Sequence, residues 1–203
     1  RAFLRRWLKA ITMVDDALSE KEIGRAVTTA FDYLKPEERI LKNLYKSCFS
    51  PTGSMRRELF RWINPDQYGN IFNAENDSLD LASKRFMAFD FTHIFEDETL
   101  APAVISYIMH RIMAETGDTG VPSLIMIDET AQMLKHPMFR DYFIIGLQEG
   151  RKKRQAYLCA FQQPNIIDRL GVGEVIRGQC QTVIFFRNPQ AMPEGYANWN
   201  VTQ

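Results

Sequence analysis

The chain has 203 residues, of which 25 are Lys or Arg and 25 are Asp or Glu, so its formal net charge is +0. This balance gives no global field that would attract nucleic acid or a membrane surface, and no run of about 18 or more apolar residues predicts a transmembrane helix. The three cysteines are far apart in the sequence, which argues against a disulfide framework or a zinc site and favours a reducing compartment.

The first third of the chain is predicted to be helical, because its apolar residues recur every three or four positions. Ser19 is followed three residues later by Glu22, which predicts a capping box with Ser19 as the N-cap. Pro36 is predicted to occupy the first turn of another helix. The predicted helices cover approximately residues 3–14, 19–34, 36–48 and 55–63. We assign residues 1–64 to a helical subdomain.

From residue 65 onward the pattern changes to strands that alternate with helices. The predicted strands are LDL, RFMAFDF, SLIMID, AYLCAFQ and TVIFF, and the predicted helices lie near residues 99–115, 137–150, 164–170 and 173–178. SLIMID is a continuous apolar run, which is typical of a parallel strand covered on both faces. The alternation predicts a parallel α/β sheet, so we assign residues 65–203 to an α/β core.

Two adjacent carboxylates, Asp128 and Glu129, follow the apolar strand SLIMI. Apolar residues that end in an Asp-Glu pair match the Walker B pattern, in which the Asp holds Mg²⁺ and the Glu polarises the attacking water. Ligands of open α/β sheets bind at the carboxyl ends of the strands. Such short motifs are common, so an acid pair that caps the next helix or meets a surface Arg explains the pattern about equally well.

Gln162 follows the next predicted strand along the chain. Its amide both donates and accepts hydrogen bonds, so it could contact a terminal phosphate and the attacking water together. By itself, Gln162 is better explained as the start of a turn before Pro164. The presence of Asp128 and Glu129 at the end of a neighbouring strand favours the polar site.

The stretch QEGRKKRQ, residues 148–155, carries four consecutive cations. Cations commonly occupy solvated helix C-termini, and that is the simpler explanation. Arg151 and Lys152 nevertheless lie between the two proposed active-site strands. A guanidinium that reaches the γ-phosphate of a neighbouring subunit would stabilise the charge of the transition state.

The phosphate-binding loop GxxxxGK[S/T] is absent, because the sequence contains no Gly-Lys dipeptide. The stretch GVGE at 171–174 does not replace it. We therefore expect this chain alone to bind no nucleotide tightly. The three histidines are far apart and predict no metal site, and Asp90 is assigned a capping role in preference to a nucleotide contact.

Several motifs, taken in order, resemble the CagE/TrbE/VirB family of type IV secretion ATPases, which are the fourth component of the VirB set. The resemblance runs over nearly the whole chain and depends on the order of the motifs more than on any single one. The motifs are RAFLRRWL, NDSLDL, FMAFDFT, APAVISYIMHRI, LIMIDETAQML, LQEGRKKR, FQQP and FFRNPQA. Arg187 in the last motif stands where the family commonly has Pro, so no role is carried over to that loop.

The resemblance implies that the chain is a fragment of a longer protein, namely most of a C-terminal RecA-like P-loop NTPase domain without its Walker A loop. The helices at 1–64 would be the family's helical insertion. Asp128 would bind Mg²⁺ and the nucleotide, and Glu129 would be the catalytic acid of the Walker B pair. Gln162 would be the Gln after the next strand. Arg151 and Lys152 would belong to its EGRK stretch, as a catalytic and a nucleotide-binding cation.

The resemblance further implies ATP and Mg²⁺ as cofactors, a hexamer or another homo-oligomer, and a place at the cytoplasmic face of the bacterial inner membrane. The expected partners are other type IV secretion components, including the coupling ATPase and inner-membrane subunits. Two alternatives stay open: a DNA-translocating ATPase of the HerA, FtsK or coupling-protein kind, and a non-catalytic docking domain. The net charge of +0 gives strong DNA contact no support.

Overall fold

The computed structural model describes residues 1–81, 83–118, 121–189 and 192–199, apart from the side chains at 117 and 118. The residues form two compact units, one from Arg1 to Tyr107 and one from Ile108 onward. Among the described residues, no helix combines the length and the apolar character needed to cross a bilayer. The predicted boundary between residues 64 and 65, which separates a helical subdomain from an α/β core, stays a prediction.

Helices dominate the first unit. They are α1 (Ala2–Thr12), α2 (Ala17–Tyr33), α3 (Leu41–Ser47), α4 (Ser54–Phe60) and the start of α5 (Leu100–Asp118). The Asp16 carboxylate caps α2 by accepting the backbone N–H groups of Leu18 and Ser19. The Ser19 hydroxyl and, to a smaller extent, these backbone bonds lower the pKa of Asp16. The prediction of Ser19 as the N-cap was wrong, because Asp16 satisfies these free donors first.

The helix predicted from Pro36 to Cys48 is divided into two pieces. Pro36 begins a 3-10 helix that ends at Glu38, and α3 starts only at Leu41. Between them the side chain of Arg39 turns back and donates to the carbonyl oxygens of Leu34 and Phe31. Helical hydrogen bonding stops there, which a periodic apolar pattern does not reveal.

Two tryptophans organise the core of the first unit. Trp62 is fully buried and donates its Nε1–H to the Ile11 carbonyl oxygen at 3.0 Å. Trp7 donates its Nε1–H to the Ala103 carbonyl oxygen, also at 3.0 Å, and packs edge-on against Phe72 at 4.9 Å between ring centroids. Each indole therefore buries a large apolar surface and has its polar N–H satisfied.

Three of the predicted strands are not strands in the described residues. LDL, RFMAFDF and TVIFF, at 79–81, 85–91 and 182–186, have no ladder partner there. A strand needs a hydrogen-bonded neighbour, and a local apolar pattern cannot supply one. Asp90 accepts from the Thr92 amide and hydroxyl, so it closes a turn and does not cap a helix; these bonds lower its pKa.

The second unit contains a parallel sheet of β1 (Ser123–Ile127) and β2 (Gln155–Cys159), with Ser123 opposite Gln155 and Ile127 opposite Cys159. The pairing continues past the strand ends, since the Ala160 N–H donates to the Ile127 carbonyl oxygen at 3.0 Å. The strands alternate with α6 (Thr130–Met133), α7 (Pro137–Glu149), α8 (Ile166–Arg169) and α9 (Gly173–Gln179). The mixed α/β class and the parallel pairing are thus confirmed.

The two faces of this sheet differ in exposure. Tyr157 lies on the half-buried face, where its ring meets Phe143 of α7 edge-on at 6.4 Å and its hydroxyl donates to the Met113 sulfur of α5 at 3.4 Å. Burial raises the pKa of Tyr157 to about 12. On the other face, Leu124 and Met126 are 61% and 64% exposed. The prediction that β1 is covered on both faces is therefore wrong for the described residues.

Candidate functional site

The tip of β1 has an unusual backbone conformation. Glu129 lies in the left-handed region, with φ 46° and ψ 41°, and the Asp128 Oδ1 accepts its N–H at 2.8 Å. Thr130 holds the backbone after Glu129 in place. Its N–H donates to the Ala160 carbonyl oxygen at 3.1 Å, and its hydroxyl donates to the Ile127 carbonyl oxygen at 2.9 Å. Such a conformation costs a non-glycine residue of order 1–3 kcal/mol, and residues of this kind cluster at functional sites.

Gln162 lies beside Glu129. Its strand, β2, ends at Cys159, and the chain then carries the Gln162 amide to the same edge of the sheet. The Gln162 Nε2 donates to the Glu129 Oε1 at 3.5 Å. Both side chains are exposed. The structure therefore brings together the two residues that the sequence placed at the ends of neighbouring strands.

These two side chains line a cleft of about 360 Å³, which is within the usual size range of small-molecule sites, about 300–1,000 Å³. It is lined by Glu129, Ala131, Gln132, Lys135, Phe161, Gln162, Gln163, Ile166, Arg169 and Leu170. Lys135 and Arg169 add positive charge, which would attract an anion. Sequence reasoning missed both cations, although their positions soon after the two strand tips could have indicated them.

Asp128 is exposed at the same strand tip. Its carboxylate accepts the Glu129 N–H through Oδ1 and has further lone pairs for a ligand. Within the part of the chain that the structure describes, no group of three or more His, Cys, Asp or Glu side chains could hold a metal ion. One carboxylate is nonetheless a sufficient protein contribution for Mg²⁺, which usually keeps several waters and binds substrate phosphates as well.

Arg151 and Lys152 lie at the opposite end of the sheet. Both are exposed in the 3-10 helix Gly150–Lys153, which immediately precedes β2. A five-residue strand spans about 16 Å at roughly 3.3 Å per residue. Within one chain the structure therefore does not bring these cations together with Glu129 and Gln162. The role of Arg151 across a subunit boundary stays a prediction.

No family model matches the sequence of this chain. The type IV secretion system protein virB4 of Bartonella henselae is 29% identical over 202 residues, which cover 97% of this chain and 25% of that protein. Protein virB4 of Agrobacterium fabrum is 29% identical over 199 residues, covering 96% and 25%. The chain is therefore similar to VirB4 proteins over nearly its whole length. The conjugal transfer protein TrbE of Rhizobium radiobacter is 36% identical over 129 residues, covering 63% and 15%.

The similarity to VirB4 and TrbE proteins confirms the resemblance that the ordered motifs indicated. The chain spans about a quarter of the length of the VirB4 relatives that it matches. The last of the motifs, FFRNPQA, is described through Pro189, and its final residues, Gln190 and Ala191, lie outside the described residues.

Proposed function

We propose that this chain forms part of a RecA-like ATPase domain of a type IV secretion or conjugal transfer protein. The observation that carries the proposal is the pairing of Glu129 with Gln162, 3.5 Å apart at the carboxyl ends of two parallel strands. Lys135 and Arg169 line the same cleft and suit a polyanionic substrate. The names of the VirB4 and TrbE relatives supply the biological setting.

In the proposed reaction water attacks the γ-phosphorus of ATP and the bond from this atom to the β–γ bridging oxygen breaks. Glu129 accepts the proton that the water loses. Gln162 orients the water through its amide, which can accept from the water and donate to a phosphate oxygen. Asp128 would hold Mg²⁺, and the bound ion would neutralise charge on the β- and γ-phosphates.

Other parts of the proposed machine lie outside this chain. A phosphate-binding loop would come from elsewhere in the parent protein, since the sequence has no Gly-Lys pair. We propose that copies of the protein assemble into a homo-oligomer, and that Arg151 and Lys152 of one copy reach the nucleotide of the next. The assembly would act with other secretion components at the cytoplasmic face of the inner membrane.

The decisive experiment replaces Glu129 by Gln in the full-length protein. This change keeps the shape of the side chain and removes the base, so nucleotide binding should persist while turnover falls about 100- to 10,000-fold. Binding is measured with a fluorescent ATP analogue and turnover by phosphate release. Asp141→Asn is the matched control, because it makes the same change from acid to amide at an exposed position of α7.

Near-normal turnover of Glu129→Gln would remove Glu129 from the mechanism. A wild-type protein that assembles with its secretion partners but hydrolyses no ATP would instead favour a docking domain. Stimulation of turnover by DNA would favour a DNA-translocating ATPase, for which the net charge of +0 gives no support.

A further inference from the structure

We propose that Trp199 and three polar side chains form a clamp that positions Gln162 for the proposed hydrolysis. The clamp consists of Arg177, Asn188, Asn198 and Trp199, and none of these residues lines the cleft itself. This inference depends on the proposed function for its catalytic part. Its structural part concerns the backbone after β2 and can be tested without any activity.

The backbone around Gln162 needs support from outside the sheet. β2 ends at Cys159, and the last bond that continues its pairing is from the Ala160 N–H to the Ile127 carbonyl oxygen. Gln162 lies two residues beyond that bond. Catalytic side chains have to be held within about 0.5 Å of the productive geometry, so the sheet alone does not fix this amide.

Two side chains of the clamp hold this backbone directly. The Trp199 Nε1–H donates to the Pro164 carbonyl oxygen at 2.9 Å. The Asn188 Nδ2 donates to the carbonyl oxygen of Gln162 itself at 3.4 Å. The backbone at Gln162 and at Pro164 is thereby tied to the C-terminal part of the chain, which limits the movement of the Gln162 side chain.

The other two side chains of the clamp hold α8. Arg177 forms a bidentate pair with Asp168, with N···O distances of 2.7 and 3.2 Å, and the Asn198 Nδ2 donates to the same carboxylate at 3.2 Å. The Arg177 guanidinium also lies 5.6 Å from the centroid of the Trp199 ring. Asp168 precedes Arg169, and Arg169 lines the cleft together with Gln162. The clamp therefore holds the backbone next to both of these polar residues.

The orientation of the indole is itself determined by aromatic packing. Phe185 meets the Trp199 ring edge-on at 5.6 Å and the Tyr196 ring edge-on at 5.2 Å. Such pairs prefer defined edge-to-face geometries, so the N–H of Trp199 has a fixed direction toward Pro164. A side chain that only covered α8 would need no directed hydrogen bond.

The first test is hydrogen exchange measured by mass spectrometry on the full-length protein. Trp199→Phe keeps an aromatic ring and removes the N–H, so peptides that cover residues 161–170 should exchange faster, whereas peptides from α1 should not change. Tyr196→Phe is the matched control. It keeps the ring next to Phe185, and the described residues give the Tyr196 hydroxyl no hydrogen-bond partner.

The second test compares the steady-state ATPase kinetics of the same proteins. Misplacement of a positioned group by about 1 Å can lower the rate 100-fold, so Trp199→Phe should lower kcat about tenfold or more. KM should stay within about twofold, because Gln162 acts mainly in the transition state. Asn188→Ala should change kcat in the same direction by less, and it provides a second variant if Trp199→Phe does not fold.

The two tests separate the inference from the proposed function. Unchanged exchange at residues 161–170 in both variants would overturn the clamp. Faster exchange with unchanged kcat would overturn its positioning role, as would a rise in KM without a fall in kcat. If the wild-type protein hydrolyses no ATP, the proposed function and the catalytic role of the clamp fail together, and the exchange data still decide whether the clamp holds the loop.

Discussion

The two units of the molecule use their apolar residues differently. In the first unit, Trp7 and Trp62 are almost fully buried among helices. In the second unit, Leu124, Met126 and Leu158 of the sheet are 51–64% exposed. Mutual packing therefore stabilises the helical unit within the described residues, whereas the α/β unit keeps one sheet face and one polar edge open. The unit with the candidate site is thus the one in which apolar side chains on one face of the sheet stay exposed within the described residues.

Each unit also contains a non-glycine residue in the left-handed region. Met13 ends α1 with φ 53°, where a left-handed residue is the ordinary way to end a helix. Glu129 adopts φ 46° between a strand and a helix, next to Gln162. The same backbone feature therefore ends a helix in one unit and presents a candidate catalytic carboxylate in the other.

The largest expected effect tests the core of the helical unit. Trp62→Ala should lower the free energy of unfolding by about 3–5 kcal/mol, because a large buried aromatic side chain is lost and a cavity remains. The change also leaves the Ile11 carbonyl oxygen without the indole donor. Urea unfolding of the 203-residue chain measures the loss. Phe60→Ala, at a side chain that is 51% exposed on α4, is the control and should change stability far less.

The same substitution should have opposite signs in the two units. Gly146→Ala in α7 would put a Cβ 2.2 Å from the Tyr157 hydroxyl oxygen, and such overpacking typically costs about 1–3 kcal/mol. Gly24→Ala in α2 meets no atom within 4 Å and should stabilise the chain by about 0.5–1 kcal/mol through helix propensity. Chemical unfolding of both variants checks the signs. Equal effects would contradict the close packing of α7 on the sheet.

Glycine at two of the left-handed positions, Met13 and Glu129, should distinguish strain from function. Met13→Gly and Glu129→Gly should each raise stability by about 1 kcal/mol, since glycine adopts this conformation without the steric cost. ATPase activity of the full-length protein should fall only with Glu129→Gly. Thermal unfolding and phosphate release are the two measurements. A Glu129→Gly protein that is destabilised would show that contacts of this side chain outweigh its backbone strain.

The smallest expected effect concerns acid pH. The hydrogen-bonded Arg177 guanidinium lowers the pKa of Asp168, with a smaller contribution from Asn198. A lowered folded-state pKa stabilises the protein above the ordinary Asp pKa, about 3.9, and this contribution is lost as pH falls through the folded value. Asp168→Asn should therefore lower the thermal midpoint at pH 7. Its thermal midpoint should then fall less between pH 7 and pH 3 than that of the wild type.

Asp16→Asn in the helical unit makes the matching change at a helix cap. Asn caps helices about as well as Asp, so the thermal midpoint at pH 7 should stay close to that of the wild type. The fall of the midpoint between pH 7 and pH 3 should be smaller than in the wild type. Thermal midpoints at pH 7 and pH 3 measure both variants. A similar acid sensitivity in Asp168→Asn and the wild type would argue against a contribution from the Asp168–Arg177 pair.

The sequence by itself determined the features that depend on local pattern. Apolar periodicity located α1, α2, α5 and α7, and the apolar run before Asp128 located β1. The alternation of strands and helices predicted the parallel pairing of β1 with β2. Because parallel strands place their carboxyl ends at one edge, the same pattern also predicted that Glu129 and Gln162 would meet.

Tertiary structure decided the features that depend on distant partners. The apolar segments 85–91 and 182–186 look like strands locally, yet they pair with no neighbour in the described residues, and pairing is what makes a strand. Lys135 and Arg169 meet in one cleft only because α6 and α8 follow adjacent strand tips. The Trp199 hydrogen bond to Pro164 joins residues 35 positions apart, and no local pattern encodes a contact that forms only when the chain folds back on itself.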